Sequence, residues 1–366
     1  MSFLSHFSEV TDPRTQINVQ HDFIDVIFLT VSAVLSGAEG WSDIEVFGRD
    51  KLDWLRQYRP FENGIPVDDT IARIVRVICP EQLNKAFMNW VNEVRVETGK
   101  PQIAIDGKTL RHSYDGDKQT ALHSITAWSK DAGLVLAQPK SSGKKNENAS
   151  VLDLLDTLNI KGALISADAM NSQKKIVEKI CSENADYVLC IKNNHKQLRD
   201  EIAAYFHKVE RDNPAWIACN EQTDSGHGRI EVRRCQQLRV SEWISEAQHW
   251  KGIRSVIKIE RERHLKDKEV STETQYYISS LDIDPAAVNQ AIRAHWEVEN
   301  KVHWVLDVTF KEDDSRIRKE DGAENVGVIR RFCLNIARLH PKKASMRSKL
   351  KMAGWADEFR AELIFG

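Results

Sequence analysis

Apolar residues recur every three or four positions over residues 21–35 (HDFIDVIFLTVSAVL), which predicts an amphipathic helix. Asp69 and Thr70 can open a second helix through Ile78, and residues 80–94, headed by Pro80, carry a third such pattern. Residues 1–95 are therefore expected to form a helical N-terminal domain. The pattern changes at residues 102–113 (QIAIDGKTLRHS), where the apolar run Ile103, Ala104, Ile105 ends in Asp106 and Gly107. ALHSITAWS and GLVLAQP follow, and short β-rich pieces in succession predict adjacent antiparallel strands. Helix and strand patterns then alternate: helix 151–158, buried strand 163–167 ending in Asp168, helix 174–183, strand 187–191, helix 197–206. Such alternation implies parallel strands with helices covering the sheet. Over residues 220–281 strands return (GRIEVRRCQQLRV, GIRSVIKIERER, STETQYYISSL), before Asp284 and Pro285 open a helix over DPAAVNQAIRAHWEVENKVHWVL.

Three antiparallel strands joined to a parallel β-α-β continuation is the order of the RNase H-like fold. The expected architecture is α/β: a helical domain (1–95), the first part of an RNase H-like core (96–219), an all-β insertion (220–283), and completion of the core with a basic C-terminal region (284–366). The length of 366 residues suits two or three domains. A hydrophobic fraction of 41% and a charged fraction of 29% are those of a soluble globular chain. No apolar run is long enough to cross a bilayer, and the start, MSFLSHFSEVTDPRTQ, lacks the basic and apolar regions of a signal peptide, so cytoplasmic residence is the expectation. The six cysteines are scattered without a CxxC pair, which speaks against a zinc site or a disulfide framework.

A formal charge of -2 gives a polyanion no overall attraction, so the distribution of charge decides. Residues 330–351 hold Arg330, Arg331, Arg338, Lys342, Lys343, Arg347, Lys349 and Lys351 without one acid. Charge alone fits a phosphate-contacting surface and a solvated basic face equally well. Two smaller basic clusters, 140–145 and 192–199, fall in expected loops.

Asp106 and Asp168 each end a strand too apolar to lie on the surface. A carboxylate there is desolvated unless a cation lies close, and a metal ion is the natural partner. Either aspartate alone could instead be a turn or cap residue, since Asp-Gly is a turn signal. At about 100° per residue, Val288, Ile292, His295, Glu299, Val302 and Leu306 fall on one stripe, which sets Glu299 in the middle of an apolar face. Metal binding with the two aspartates would satisfy it, and so would a pairing with His295 or His303; Asp307, Glu312 and Asp313 are lesser candidates. Three carboxylates with no cysteine suit Mg²⁺, with Mn²⁺ able to substitute. Lys108, Arg111, Lys192 and Lys196 lie near the aspartates in sequence and are candidate phosphate contacts. In DSGHGRIEVRR, His227, Arg229, Arg233 and Arg234 put cations at a turn and along the next strand, which fits DNA-backbone contact or a charged hairpin equally.

Taken together, IAIDGKTLRHS, TAWS, LISADAMNSQ, GHGRIEVR and RAHWEVENKVHWVLDVTFKEDDSR resemble the H-repeat-associated insertion-sequence transposases. The resemblance covers essentially the whole chain, including DPR near residue 12, SGAEGWSDI and GIPVDDTIARI. It implies an Asp-Asp-Glu transposase with Asp106, Asp168 and Glu299 as catalytic and metal-binding residues holding two magnesium ions, acting as a homodimer on double-stranded DNA at terminal inverted repeats and at a target. Many relatives with a β insertion carry a Tyr, Arg, Glu, Lys signature around the last acid. Here Ile292, His295 and Leu306 stand at the Tyr, Arg and Lys positions, so His295 and His303 are expected to take over contacts to strand phosphates. A host-adopted metal-dependent nuclease and a DNA-binding protein with a vestigial site are the competing expectations.

Overall fold

The computed structural model describes residues 2–15, 19–95, 100–110, 112–113, 122–137, 140–141, 147–226, 229–265 and 269–366. Its strands are β1 (Gln102–Thr109), β2 (His123–Ser129), β3 (Leu134–Ala137), β4 (Lys140–Ser141), β5 (Leu164–Ala167), β6 (Asp186–Ile191), β7 (Ala218–Gly226), β8 (Arg229–Arg239), β9 (Ser255–Leu265) and β10 (Ser271–Ser279). The chain forms two compact units, one of residues 1–96, 107–150 and 299–366, the other of residues 97–106 and 151–298. The division falls inside β1, so each end of that strand serves a different unit.

In the second unit the strands run in the order β1-β5-β6-β10-β9-β8-β7. Residues of β1 pair in parallel with β5 (Ile105 opposite Ala167), and β5 pairs in parallel with β6 (Ala167 opposite Leu189). Both β5 and β6 are nearly continuous apolar runs, as strands covered on both faces require. β10 pairs antiparallel with β6, Tyr277 opposite Cys190, so the residues read as an all-β insertion continue the central sheet. The helix Pro285–His295 is capped by Asp284, whose carboxylate accepts from the Ala287 amide at 3.0 Å. Its Val288 and Ile292 pack on Cys235, Ile257, Ile259 and Tyr277 of the sheet.

The first unit is built on helices. Phe23–Leu35 buries all its residues but Ile24, and Gly322–Leu339 is sunk along most of its length. Phe332 of the second meets Trp90 at 4.6 Å and Phe7 at 4.9 Å between ring centroids. The predicted helix at 80–94 is observed as Pro80–Val94. Antiparallel β2 and β3 lie in this unit, and the buried Asn335 side chain accepts from the Val135 amide (3.0 Å) and donates to its carbonyl (2.8 Å), standing in for a further strand.

Candidate active site

Asp106 and Asp168 each stand one residue beyond the last registered pair of β1 and β5, Ile105 opposite Ala167. Residues two apart on a strand share a face, so both carboxylates follow Ala104 and Ser166 on one face of the sheet. Both are half-buried. The structure corrects one expectation: β1 does not end at Asp106 but continues to Thr109, where it neighbours β2 in the sheet. Asp168 does end its strand, and its Oδ1 accepts from the Asn171 amide (3.1 Å) and side chain (3.0 Å). The loop after it is held further by His195, 2.6 Å from the Ser172 carbonyl, and by Asn194, which donates to the Ala169 carbonyl at 2.5 Å. Asn171, Asn194 and His195 were missed in the sequence. The Asp-x-x-Asn spacing is the signal that could have found the first, since Asp side chains cap the turn they begin.

On the same face one step down, Ser166 meets His295 Nδ1 at 3.3 Å, and Gln102 donates to Ser166 (3.2 Å) and to the Ala291 carbonyl (2.7 Å). The helix Pro285–His295 therefore runs in the direction of β5. His295, 5% exposed, is buried in this unit beside Ser166. Lys192, just past β6, is exposed; Lys196 is exposed and 3.4 Å from Asp200. Arg229 is exposed, whereas Arg233 is largely buried and bound to Glu231 at 2.6 Å. Arg111 and His227 lie outside the described residues.

In the first unit, residues 299–303 form a π-helical turn before the helix Trp304–Val308. Turns of this kind insert a residue into a helix and recur at functional sites. The turn corrects the expected stripe: Glu299 is exposed, while Val298, Val302, His303 and Leu306 are buried, because the break at Trp296 and the wider π turn shift the phase of the face. Glu299 Oε2 lies 3.2 Å from His303 Nδ1. That hydrogen bond, opposed by partial burial and aided by Lys108, holds the Glu299 carboxyl below the usual range. His303 is 4% exposed, behind the Glu299 carboxylate.

Lys108, expected to reach phosphate, is 7% exposed and engaged with Asp307, with Glu312 at 3.6 Å and with Asp313 at 4.0 Å. Burial would push the Glu312 carboxyl up, but Arg331, at 2.6 Å, and Lys108 bring it down to about 2. Glu312 is thereby committed to an internal ion network, which removes it as a candidate third acid. Asp307 is pushed up by burial against the pull of Lys108. Of the basic stretch 330–351, Arg330, Arg331 and Lys349 are buried, so that stretch is only in part a surface.

A profile of the Transposase DDE domain family matches residues 97–336, and that of its DDE_Tnp_1-associated domain matches residues 4–91. The chain is 40% identical over 371 residues to "H repeat-associated putative transposase YhhI" of Escherichia coli (strain K12), covering 99% of this chain and 97% of that one. It belongs to the DDE transposase family. A second E. coli relative of the transposase, "H repeat-associated putative transposase YbfD", is 43% identical over 233 residues, 63% of this chain and 91% of that protein. The family implies an RNase H-like core, a divalent metal and DNA as partner, and the mixed α/β sheet of the second unit is consistent with that core. Among the described residues no helix is long and apolar enough to cross a membrane.

Proposed function

We propose that this transposase cuts DNA at the ends of its element and joins the freed end to target DNA, with Asp106, Asp168 and Glu299 as its metal-binding acids. The observation that carries the proposal is the pair Asp106 and Asp168, delivered to one face by neighbouring parallel strands in register. Two half-buried carboxylates side by side repel one another unless a cation is shared between them. Oxygen donors without a cysteine fit Mg²⁺ or Mn²⁺. Glu299 is added as the third acid that the family resemblance implies.

When bound, the metal polarises the phosphodiester and lowers the pKa of the attacking oxygen. In the first reaction a water oxygen bonds to phosphorus and the 3′ oxygen leaves; in the second that 3′ oxygen bonds to a target phosphorus and a target 3′ oxygen leaves. The chain's own residues hold and orient. His303 fixes the Glu299 carboxylate, the Asn171 amide and side chain fix that of Asp168, and exposed Lys192, Lys196 and Arg229 are cations for backbone phosphates. Two ions and action as a homodimer on paired ends are carried over from the family.

The test is cleavage and strand transfer on labelled duplex carrying the element's terminal repeat, in Mg²⁺, Mn²⁺, Ca²⁺ or EDTA. Cleavage is expected only in Mg²⁺ or Mn²⁺, with Glu299→Gln and Asp106→Asn at least about 1,000-fold slower. Variants as active as the parent would sink the three-acid assignment. Nicking of any duplex without joining would favour a host-adopted nuclease, and repeat-specific binding without cleavage a vestigial DNA-binding protein.

A further inference from the structure

Register sets Arg233 of β8 directly opposite Arg261 of β9, and Arg261 opposite Glu273 of β10. Like charges in that relation repel. All three residues lie on the sheet face that holds Cys235 and Ile259 under the helix Pro285–His295, just past the apolar cluster. There a small cleft is lined by Arg233, Arg261, Glu273, Gln275, Tyr277 and Trp296. Carboxylates answer the arginines only in part. Glu231 takes one edge of Arg233 (2.6 Å), Glu273 takes Arg261 (2.5 Å), and Asp224 takes Arg293 at the rim. Arg233 Nη1 is buried with no hydrogen-bond partner among the described residues. Buried donors left unmade are rare and point to a missing acceptor. Burial, with Arg293 and Arg261 nearby, also holds the Arg233 guanidinium below its usual range against the pull of Glu231.

We propose that the Arg233 and Arg261 cleft seats a backbone phosphate of the DNA that this transposase binds, an inference that rests on the proposed function above. A phosphate at the cleft mouth would accept from the facing edge of Arg261, and a single water inside the cleft would link it to Arg233 Nη1, relieving the cross-strand repulsion. The cation row favours a polyanion over a lone ion. Arg263 continues it on the same face two residues beyond Arg261, and Arg229 lies four residues before Arg233 with Glu231 between them; both arginines are exposed enough to meet a strand running past. Trp296, 39% exposed, forms one wall, three residues before Glu299 in the chain.

The experiment is anisotropy binding of full-length protein to labelled terminal-repeat duplex in Ca²⁺ across a KCl series, for the parent, Arg233→Gln, Arg261→Gln and, as control, Arg239→Gln. Circular dichroism and melting check folding; Arg261, whose partner Glu273 is half-exposed, covers the chance that loss of Arg233 unfolds the sheet. Both cleft variants should bind about tenfold more weakly, with the slope of log affinity against log salt shallower by about 0.9 for each lost contact. Arg239→Gln should match the parent. Folded cleft variants with the parent's affinity and slope overturn the proposal while leaving the transposase assignment standing. Calorimetry with inorganic phosphate separates the ligand sources: Arg233-dependent phosphate binding beside unaltered duplex binding would make the cleft a free-anion site and overturn it too. A parent that binds no duplex at all overturns the DNA assignment itself, and the cleft's with it.

Discussion

Arg331 and Glu312 are sealed from solvent side by side, so each is tolerable only because of the other. Breaking one half of such a pair costs about 3–5 kcal/mol, because the other charge stays buried without a counter-ion. Glu312→Gln should therefore lower stability by about that amount, read as a drop in the urea midpoint at neutral pH. The sign with pH follows from a folded carboxyl lowered from 4.5 to about 2. Its contribution is complete above the unfolded value of 4.5 and fades as pH falls toward about 2. The parent should lose stability over that window more steeply than Glu312→Gln does, and equal slopes would show that the carboxylate is not held as described. None of this was legible in residue type. A lysine or arginine in sequence is read as a surface charge, yet Lys108, Arg330 and Arg331 are internal because acids distant in the chain, Asp307 and Glu312 among them, come to meet them or burial encloses them.

At the scale of elements, the π turn at Glu299–His303 changes what helical periodicity predicts. A uniform helix would put Glu299 on the buried stripe; the inserted residue turns it outward while His303 stays inside and holds it. Removing the exposed Asn300 should convert the turn to ordinary α-helix and rotate Glu299 by about 100° relative to the residues that follow. The expected result is cleavage reduced at least about 100-fold, duplex affinity within about threefold of the parent and an unchanged helical circular-dichroism signal. Full cleavage in the deletion would show that the turn is incidental. Elements with unbroken periodicity were readable in advance. Pro80–Val94 and the apolar β5 and β6 came out where pattern put them, because local spacing alone sets which side of such an element faces the core.

Over the whole molecule, a ligand that binds only the folded chain stabilises it, by about 2.7 kcal/mol at a free concentration one hundred times its Kd. Mn²⁺ or Mg²⁺ should accordingly raise the melting temperature of the parent in the absence of DNA, and Asp168→Asn should abolish the rise. A rise that survives in that variant would place the ion elsewhere. This readout is independent of turnover, so it separates a site that binds metal without reacting from one that binds none. The formal charge of -2 is a sum over the whole chain, and locally Lys192, Arg229, Lys342, Lys343, Arg347 and Lys351 are exposed cations that a phosphate backbone can meet.

The sequence by itself determined the mixed α/β class, the order of helices and strands over residues 151–206, the family, and two aspartates carried by apolar strands, because each rests on spacing within a few residues or on motifs in series. Tertiary structure decided the rest. It joined the presumed insertion strands to the central sheet through β10 and β6, carried β1 past Asp106, buried His295 and His303, turned Glu299 outward and set Arg233 against Arg261. Those outcomes depend on which distant residues meet, and a pattern read along one chain carries no record of its partners across the fold.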